Sequence, residues 1–219
     1  MPIHTLDYPE TTGLTSAFNL GVDDAASEVN QGSGADATAG SSVTYQTAYM
    51  EARGGNSNSL FAIQTTDQDD ASADLTFCAL FKRNDANFRQ IIGAYNGVTN
   101  GAGLTTNGLS AGDGSALQTS IYPTKSTGAW QFHAGLITDG TLVAFTGYSG
   151  RLLIGDPADC TRVQSTKGAR IGGALATSST ASMDIASVSK HTRALTEGQL
   201  LDMYRFMKER GERLGLMVG

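Results

Sequence analysis

Hydrophobic positions recur at every second residue along most of this chain and at every third or fourth residue near its end. In Leu75-Thr76-Phe77-Cys78-Ala79-Leu80-Phe81-Lys82, one face (Leu75, Phe77, Ala79, Phe81) is wholly apolar and the other (Thr76, Cys78, Leu80, Lys82) partly so. That pattern predicts a strand in the middle of a sheet, with Phe88 to Tyr95 as its partner. Trp130 to Leu136 alternates again, and Asp139-Gly140 turns it back against Leu142-Val143-Ala144-Phe145, the strongest hairpin signal in the chain. Leu14 to Val22, Tyr45 to Arg53, Ser59 to Gln64, Ala169 to Ile171 and Ser182 to Val188 supply further short strands. Asn96-Gly97, Asn100-Gly101, Asn107-Gly108 and Ser149-Gly150 read as tight turns, because Asn and Gly tolerate positive φ.

The period changes after Leu195. Thr196 and Gln199 have the spacing of a capping box, Leu195 and Leu200 that of a hydrophobic staple, and Leu200, Met203, Tyr204 and Met207 share one helical face. A helix over 196–210 is predicted, ended by Gly211 in a left-handed cap.

Arg170-Ile171-Gly172-Gly173, the small-residue strand from Ser182, Arg193-Ala194-Leu195-Thr196 and one closing amphipathic helix resemble the C-terminal end of laminin-G-like, concanavalin-A-like jelly-roll domains. The Trp130-led strand and its two-residue turn extend the resemblance over roughly residues 45–210. It implies an all-β fold, an antiparallel two-sheet jelly-roll sandwich with one C-terminal α-helix, shared by lectins, glycosidases, adhesion modules and virion proteins. Residues 14–219 form that domain, and residues 1–13 an extended arm in which Ile3, Leu6 and Tyr8 are candidate anchors to a partner.

Composition narrows the function more than the fold. The 27 glycines exceed the roughly 15 that average usage of about 7% gives, so many tight turns follow. A net charge of -6 without clustered Lys or Arg argues against nucleic acid. Cys78 and Cys160 are too few for a disulfide framework; Cys78, in an apolar run, reads as a buried thiol, with a Cys78–Cys160 bridge as the minority alternative. Met1 to Asp7 lacks the basic and apolar regions of a signal peptide, and no apolar segment approaches the about 20 residues of a membrane span. A protein made in the cytoplasm is expected.

Glycosidases of this fold resemblance carry Glu-x-Asp-x-x-Glu on one strand face, and no such motif is present. Asp184 stands in a strand with Ser at 182 and 187, so a structural role is favoured. No cofactor is expected. Calcium at Asp67, Asp69, Asp70 and Asp74 is the alternative to a solvated acidic turn, which the missing Asp-x-Asp-x-Asp-Gly spacing favours. His4, His133 and His191 lack ligand spacing, and His133 reads as a surface or edge residue. A serine hydrolase of the nucleophile-elbow type is not expected. Trp130 reads as core, leaving Tyr95 and Tyr148, each beside a turn, as candidate ligand contacts.

Composition rich in Gly, Ala, Ser and Thr, with a short irregular arm, resembles phage capsid-decorating, head-fibre or tail proteins, and the resemblance implies a non-enzymatic virion structural protein of a bacteriophage, a capsid decoration, head fibre or tail component. It would be assembled in the host cytoplasm with other virion proteins, as a homo-oligomer or within a symmetric assembly. The alternative is a carbohydrate-binding module that attaches to a host-surface glycan, and a glycosidase comes third.

Overall fold

The computed structural model describes residues 8–21, 24–40, 43–53, 55–56, 63–68, 71–96, 99–173, 178–179 and 182–219. In chain order the elements begin β1 (Leu14–Asn19), α1 (Asp24–Glu28), β2 (Thr38–Ala39), β3 (Val43–Tyr45), β4 (Met50–Ala52), β5 (Gly55–Asn56) and β6 (Ile63–Gln68). Next come β7 (Leu75–Arg83), β8 (Gln90–Asn96), β9 (Asn100–Thr105), β10 (Gly108–Asp113), β11 (Leu117–Ile121) and β12 (Trp130–Thr138). The order closes with β13 (Thr141–Tyr148), β14 (Arg151–Ile154), β15 (Ala158–Asp159), β16 (Gly168–Ile171), β17 (Ser178–Ser179), β18 (Met183–His191) and α2 (Glu197–Arg213).

Two antiparallel sheets stack face to face. The first runs β14-β13-β12-β7-β18-β4-β3, with β1 on β18 and β15 on β13; the second runs β11-β10-β9-β8-β16-β6-β2. The strand predicted to be central is central: β7 is hydrogen-bonded to β12 on one side and β18 on the other. Its predicted partner is corrected, because β8 belongs to the second sheet and pairs with β9 and β16.

Both faces of β7 are buried. Leu75, Phe77, Ala79 and Phe81 meet Ile92, Ala102, Leu104, Leu109 and Ala111 of the second sheet. Cys78 and Leu80 point the other way, into a second core with Phe132, Ala134 and the apolar face of α2. A sheet covered on both faces explains why this strand is apolar nearly throughout. Both cysteines are buried free thiols, so the disulfide alternative falls.

The capping box forms as read: Gln199 N–H donates to Thr196 Oγ1 (3.3 Å) and Thr196 N–H to Gln199 Oε1 (2.9 Å). Leu200, Met203, Tyr204 and Met207 are all buried, each contributing roughly 1.5–3 kcal/mol by leaving water. Gly211 does not end the helix. It remains helical and buried, where a Cβ would stand 2.8 Å from Leu80 Cδ2, and Gly215, at φ +82°, is the residue that turns the chain away. Replacing Thr196 with Ala should lower stability by about 1 kcal/mol, read as a lower urea midpoint at unchanged slope; an unmoved midpoint would show that the cap contributes nothing.

Two hairpin turns are as the residue types require. Asp139 and Gly140 (φ 47° and 76°) and Ser149 and Gly150 (φ 49° and 80°) both take consecutive positive φ values, the primed geometry that matches strand twist. Asn100-Gly101, expected to be a turn, instead opens strand β9, and the turn expected at Asn107-Gly108 lies one residue earlier, since β10 begins at Gly108.

Candidate functional site

One end of the sandwich carries an open, shallow concavity. A cavity of about 630 Å³ is lined by Asp113, Ser115 and Gln118 from the β10–β11 connection, Asp139 and Gly140 from the β12–β13 turn, and Asp159, Cys160 and Thr161 from β15 and the residues after it. A smaller space of about 290 Å³ shares Asp139, Gly140, Cys160 and Thr161 and extends towards the turn Ala71 to Asp74. The larger volume falls in the range of small-ligand sites, about 300–1,000 Å³.

Backbone hydrogen bonds hold these segments together. Cys160 N–H donates to Gly140 O (2.7 Å) and Val163 N–H to Gly112 O (2.8 Å), tying the 160–163 segment to both turns. Arg162 Nη2 donates to Ala73 O (2.7 Å) and fixes the third wall. Asp113 Oδ1 accepts from the N–H groups of Ser115 and Ala116 and from the Ser115 hydroxyl, all at 2.8 Å, while Oδ2 accepts from Gln118 Nε2 at 3.2 Å. The Ala116 and Ser115 donors hold the Asp113 carboxyl well below the usual carboxylate range. Burial, and then the Asp113 charge, push the Cys160 thiol up, which keeps it in the neutral form.

What the groove offers is hydroxyls, an amide and carboxylates, with no aromatic ring among the described lining residues. Of its residues only Asp74 is a candidate ligand in the sequence, for calcium, since the four segments are joined only by long-range pairing.

The tyrosines expected from the sequence as contacts lie elsewhere. Tyr148 is half exposed at the far end of β13, roughly 25 Å from the Asp139-Gly140 turn along an extended strand. Tyr95 is corrected from an exposed contact to a buried one, 6% exposed, with its hydroxyl donating to Gly103 O (3.1 Å) and Ser110 O (2.8 Å). Tyr8 is corrected likewise. It is buried, its ring 4.8 Å from that of Phe206 and its hydroxyl within 3.3 Å of Phe18 O, Asn19 Oδ1 and Val188 O, so it is held by its own domain. Ile3 and Leu6 lie outside the described residues.

His133 is corrected from surface to core, 1% exposed between the sheets. The calcium alternative is overturned: among the described residues no three His, Cys, Asp or Glu side chains come together as a metal site. Asp69, Asp70 and the side chain of Asp67 lie outside those residues, and Asp74 lines the smaller cavity.

Asp184 is 2% exposed and built into an ion-pair network. Lys82 Nζ lies 2.7 Å from Oδ2, and Arg53 Nη1 (3.5 Å) and Asn84 Nδ2 (2.8 Å) approach Oδ1. Glu51, opposite Asp184 in register, is taken by Arg53 at 2.6 Å. Two facing carboxylates are the minimum a glycosidase needs; here cations occupy both. Lys82 also stands 5.4 Å from the Trp130 ring centre and 5.6 Å from that of Tyr49, which closes this region over the core tryptophan.

No family model and no curated protein sequence matches the chain. Solved structures do match it. The binding domain of Paraclostridial Mosquitocidal Protein 1 aligns with a TM-score of 0.59 at 11% identity, over 90% of this chain and 52% of that one. A mutant of Trypanosoma rangeli sialidase displaying trans-sialidase activity gives 0.63 at 14% identity, over 90% of this chain and 34% of the sialidase. The botulinum neurotoxin serotype D ligand binding domain in complex with N-acetylneuraminic acid gives 0.58 at 12% identity, over 89% and 51%. The chain thus spans about half the length of the toxin domains and about a third of the sialidase. At such identities the likeness establishes the fold, a lectin-like two-sheet sandwich, and function has to be argued from the site.

Proposed function

We propose that this domain is a carbohydrate-binding module whose ligand lies in the groove between the β10–β11 connection, the β12–β13 turn and residues 159–161. The observation that carries the reading is the lining itself. Sugar hydroxyls both donate and accept, and Asp139 and Asp159 accept, Ser115, whose proton goes to Asp113, accepts, Thr161 does both, and the Gln118 amide supplies one of each. The fold likeness to toxin binding domains and to sialidases supports it, and one of those toxin domains is seen with a sugar acid.

Without an aromatic platform the affinity rests on hydrogen bonds in an open, wet site. Dissociation constants near 1 mM, about -4 kcal/mol, are the scale to look for. The virion role expected from composition stands behind this reading, because the structures named above are toxin domains and a sialidase. The groove needs no catalytic partner, so binding without turnover is proposed.

A glycan array displayed at high density tests the function. Wild-type protein is expected to be retained on a related group of glycans, and Gln118→Ala combined with Asp159→Ala to lose about tenfold in affinity with an unchanged melting temperature, as loss of hydrogen bonds to charged and amide groups implies. An array on which the wild-type protein binds nothing would remove the carbohydrate reading.

A further inference from the structure

The groove's charge narrows the ligand further, on the assumption that it is the sugar site proposed above. Asp113, Asp139 and Asp159 all line the larger cavity, and Asp74 lines the adjoining one. Among the described lining residues the cation is Arg162, on the wall of the smaller space, where its Nη2 donates to Ala73 O. Asp139 and Asp159 are exposed, and among the described residues neither carboxylate is hydrogen-bonded or ion-paired. The chain as a whole is also negative, at -6.

Concave sites lined by charges of one sign concentrate the opposite charge and exclude their own. A sialate or uronate would bring its carboxylate against three others. A neutral sugar meets no penalty. A sugar bearing a protonated amine adds an N⁺–H donor that can meet the free Asp139 and Asp159 oxygens in charge-assisted hydrogen bonds, the stronger kind. We infer that the groove selects free-amine sugars, glucosamine-type residues of a surface polysaccharide, over N-acetylated ones and rejects acidic sugars. Ser115, Gln118 and Thr161 are then left to read the ring hydroxyls.

Three probes decide this by calorimetry at about pH 6.5: a β-1,4-linked glucosamine tetramer, its fully N-acetylated counterpart, and sialyllactose. The free-amine tetramer is expected to bind about tenfold more tightly than the acetylated one, the advantage shrinking several-fold between about 20 mM and about 300 mM salt as the charges are screened. Sialyllactose is expected not to bind. Asp139→Asn with Asp159→Asn removes charge while keeping shape, and Asn accepts the positive φ at 139. That double variant should bind both tetramers equally, at the wild-type affinity for the acetylated one. Equal binding of the two tetramers by the wild type, a preference for sialyllactose, or a free-amine advantage that survives in the double variant would each overturn the inference while leaving carbohydrate binding intact. Absence of binding to all three, together with a blank glycan array, would instead remove the reading on which it rests.

Discussion

Gly101→Ala is expected to destabilise the protein by about 3–5 kcal/mol, a large part of the 5–15 kcal/mol that holds a domain folded. Gly101 has φ +102°, a conformation that L side chains rarely adopt, and a Cβ there would stand 1.8 Å from Ala94 O and 2.9 Å from Ser165 Cβ. One of the obstructing atoms belongs to the backbone of the neighbouring strand, so relief requires prising β8 from β9. Gly103 is nearly as confined, with a hypothetical Cβ 2.4 Å from Ile92 O, and a Cβ at Gly93 would stand 2.7 Å from Ala102 O and 2.8 Å from Tyr95 Cε2. Gly128→Ala is the natural control. That position also has positive φ (+81°), but nothing lies within 4 Å of its Cβ, so its cost should be confined to about 1 kcal/mol of backbone strain. Urea unfolding of the two variants side by side separates steric exclusion from strain; similar midpoints would refute the packing argument.

Those glycines also explain which parts of the fold can be read from residue types. The β12–β13 hairpin and the start of α2 are legible because their determinants are local: two residues that accept positive φ, and one Thr-x-x-Gln pair. Strands β9, β10 and β11 carry no comparable signal. Gly101, Gly103, Gly108 and Gly112 replace the outward side chains that would have shown alternation, and the face is filled from β8 by Tyr95. A period-2 pattern written in glycine looks like a string of turns, which is how Asn100-Gly101 misleads.

The misplacement of His133 has a different origin. Its strand alternates as read, with Phe132 and Ala134 on one face and His133 on the other. The inference that the less apolar face is wet fails because α2 covers one side of this sheet and the second sheet covers the other. Tyr8 reads as an anchor for the same kind of reason: nothing near it in sequence shows that Phe206 and Val188 of β18 pack against it. The groove is illegible as a site because Asp113, Asp139 and Asp159 are each ordinary turn or edge residues until β13 pairs with β12 and β15, and Val163 N–H on Gly112 O brings the end of β10 to the same rim.

Burying two histidines as neutral bases has a consequence in acid. His133 has Nε2 3.2 Å from Gln131 Oε1 and Nδ1 3.4 Å from Thr146 Oγ1, with the Tyr122 ring edge-on at 3.8 Å. Burial, and then the charges of Arg83 and Lys125, push its pKa down to about 3. Burial pushes His191 down to about 4, and the Thr12 backbone and the Glu10 carboxylate, which favour the charged ring, offset only part of that. In the unfolded chain both imidazoles titrate near 6.5. From about pH 6.5 down to the folded values the unfolded state therefore binds protons that the folded state refuses, and stability falls as pH falls, by up to about 1.4 kcal/mol per pH unit for each group. Between about pH 7.5 and about pH 5 the two together should remove roughly 4 kcal/mol, before most carboxylates, near 4 in the unfolded chain, begin to protonate. Urea midpoints should drop steeply over that interval, and His133→Gln, which keeps a polar group of similar length in the Gln131–Thr146 gap, should remove about half of the slope even if it lowers stability at pH 7.5. A wild-type midpoint that is flat from about pH 7.5 to about pH 5 would mean that neither ring is buried in its neutral form.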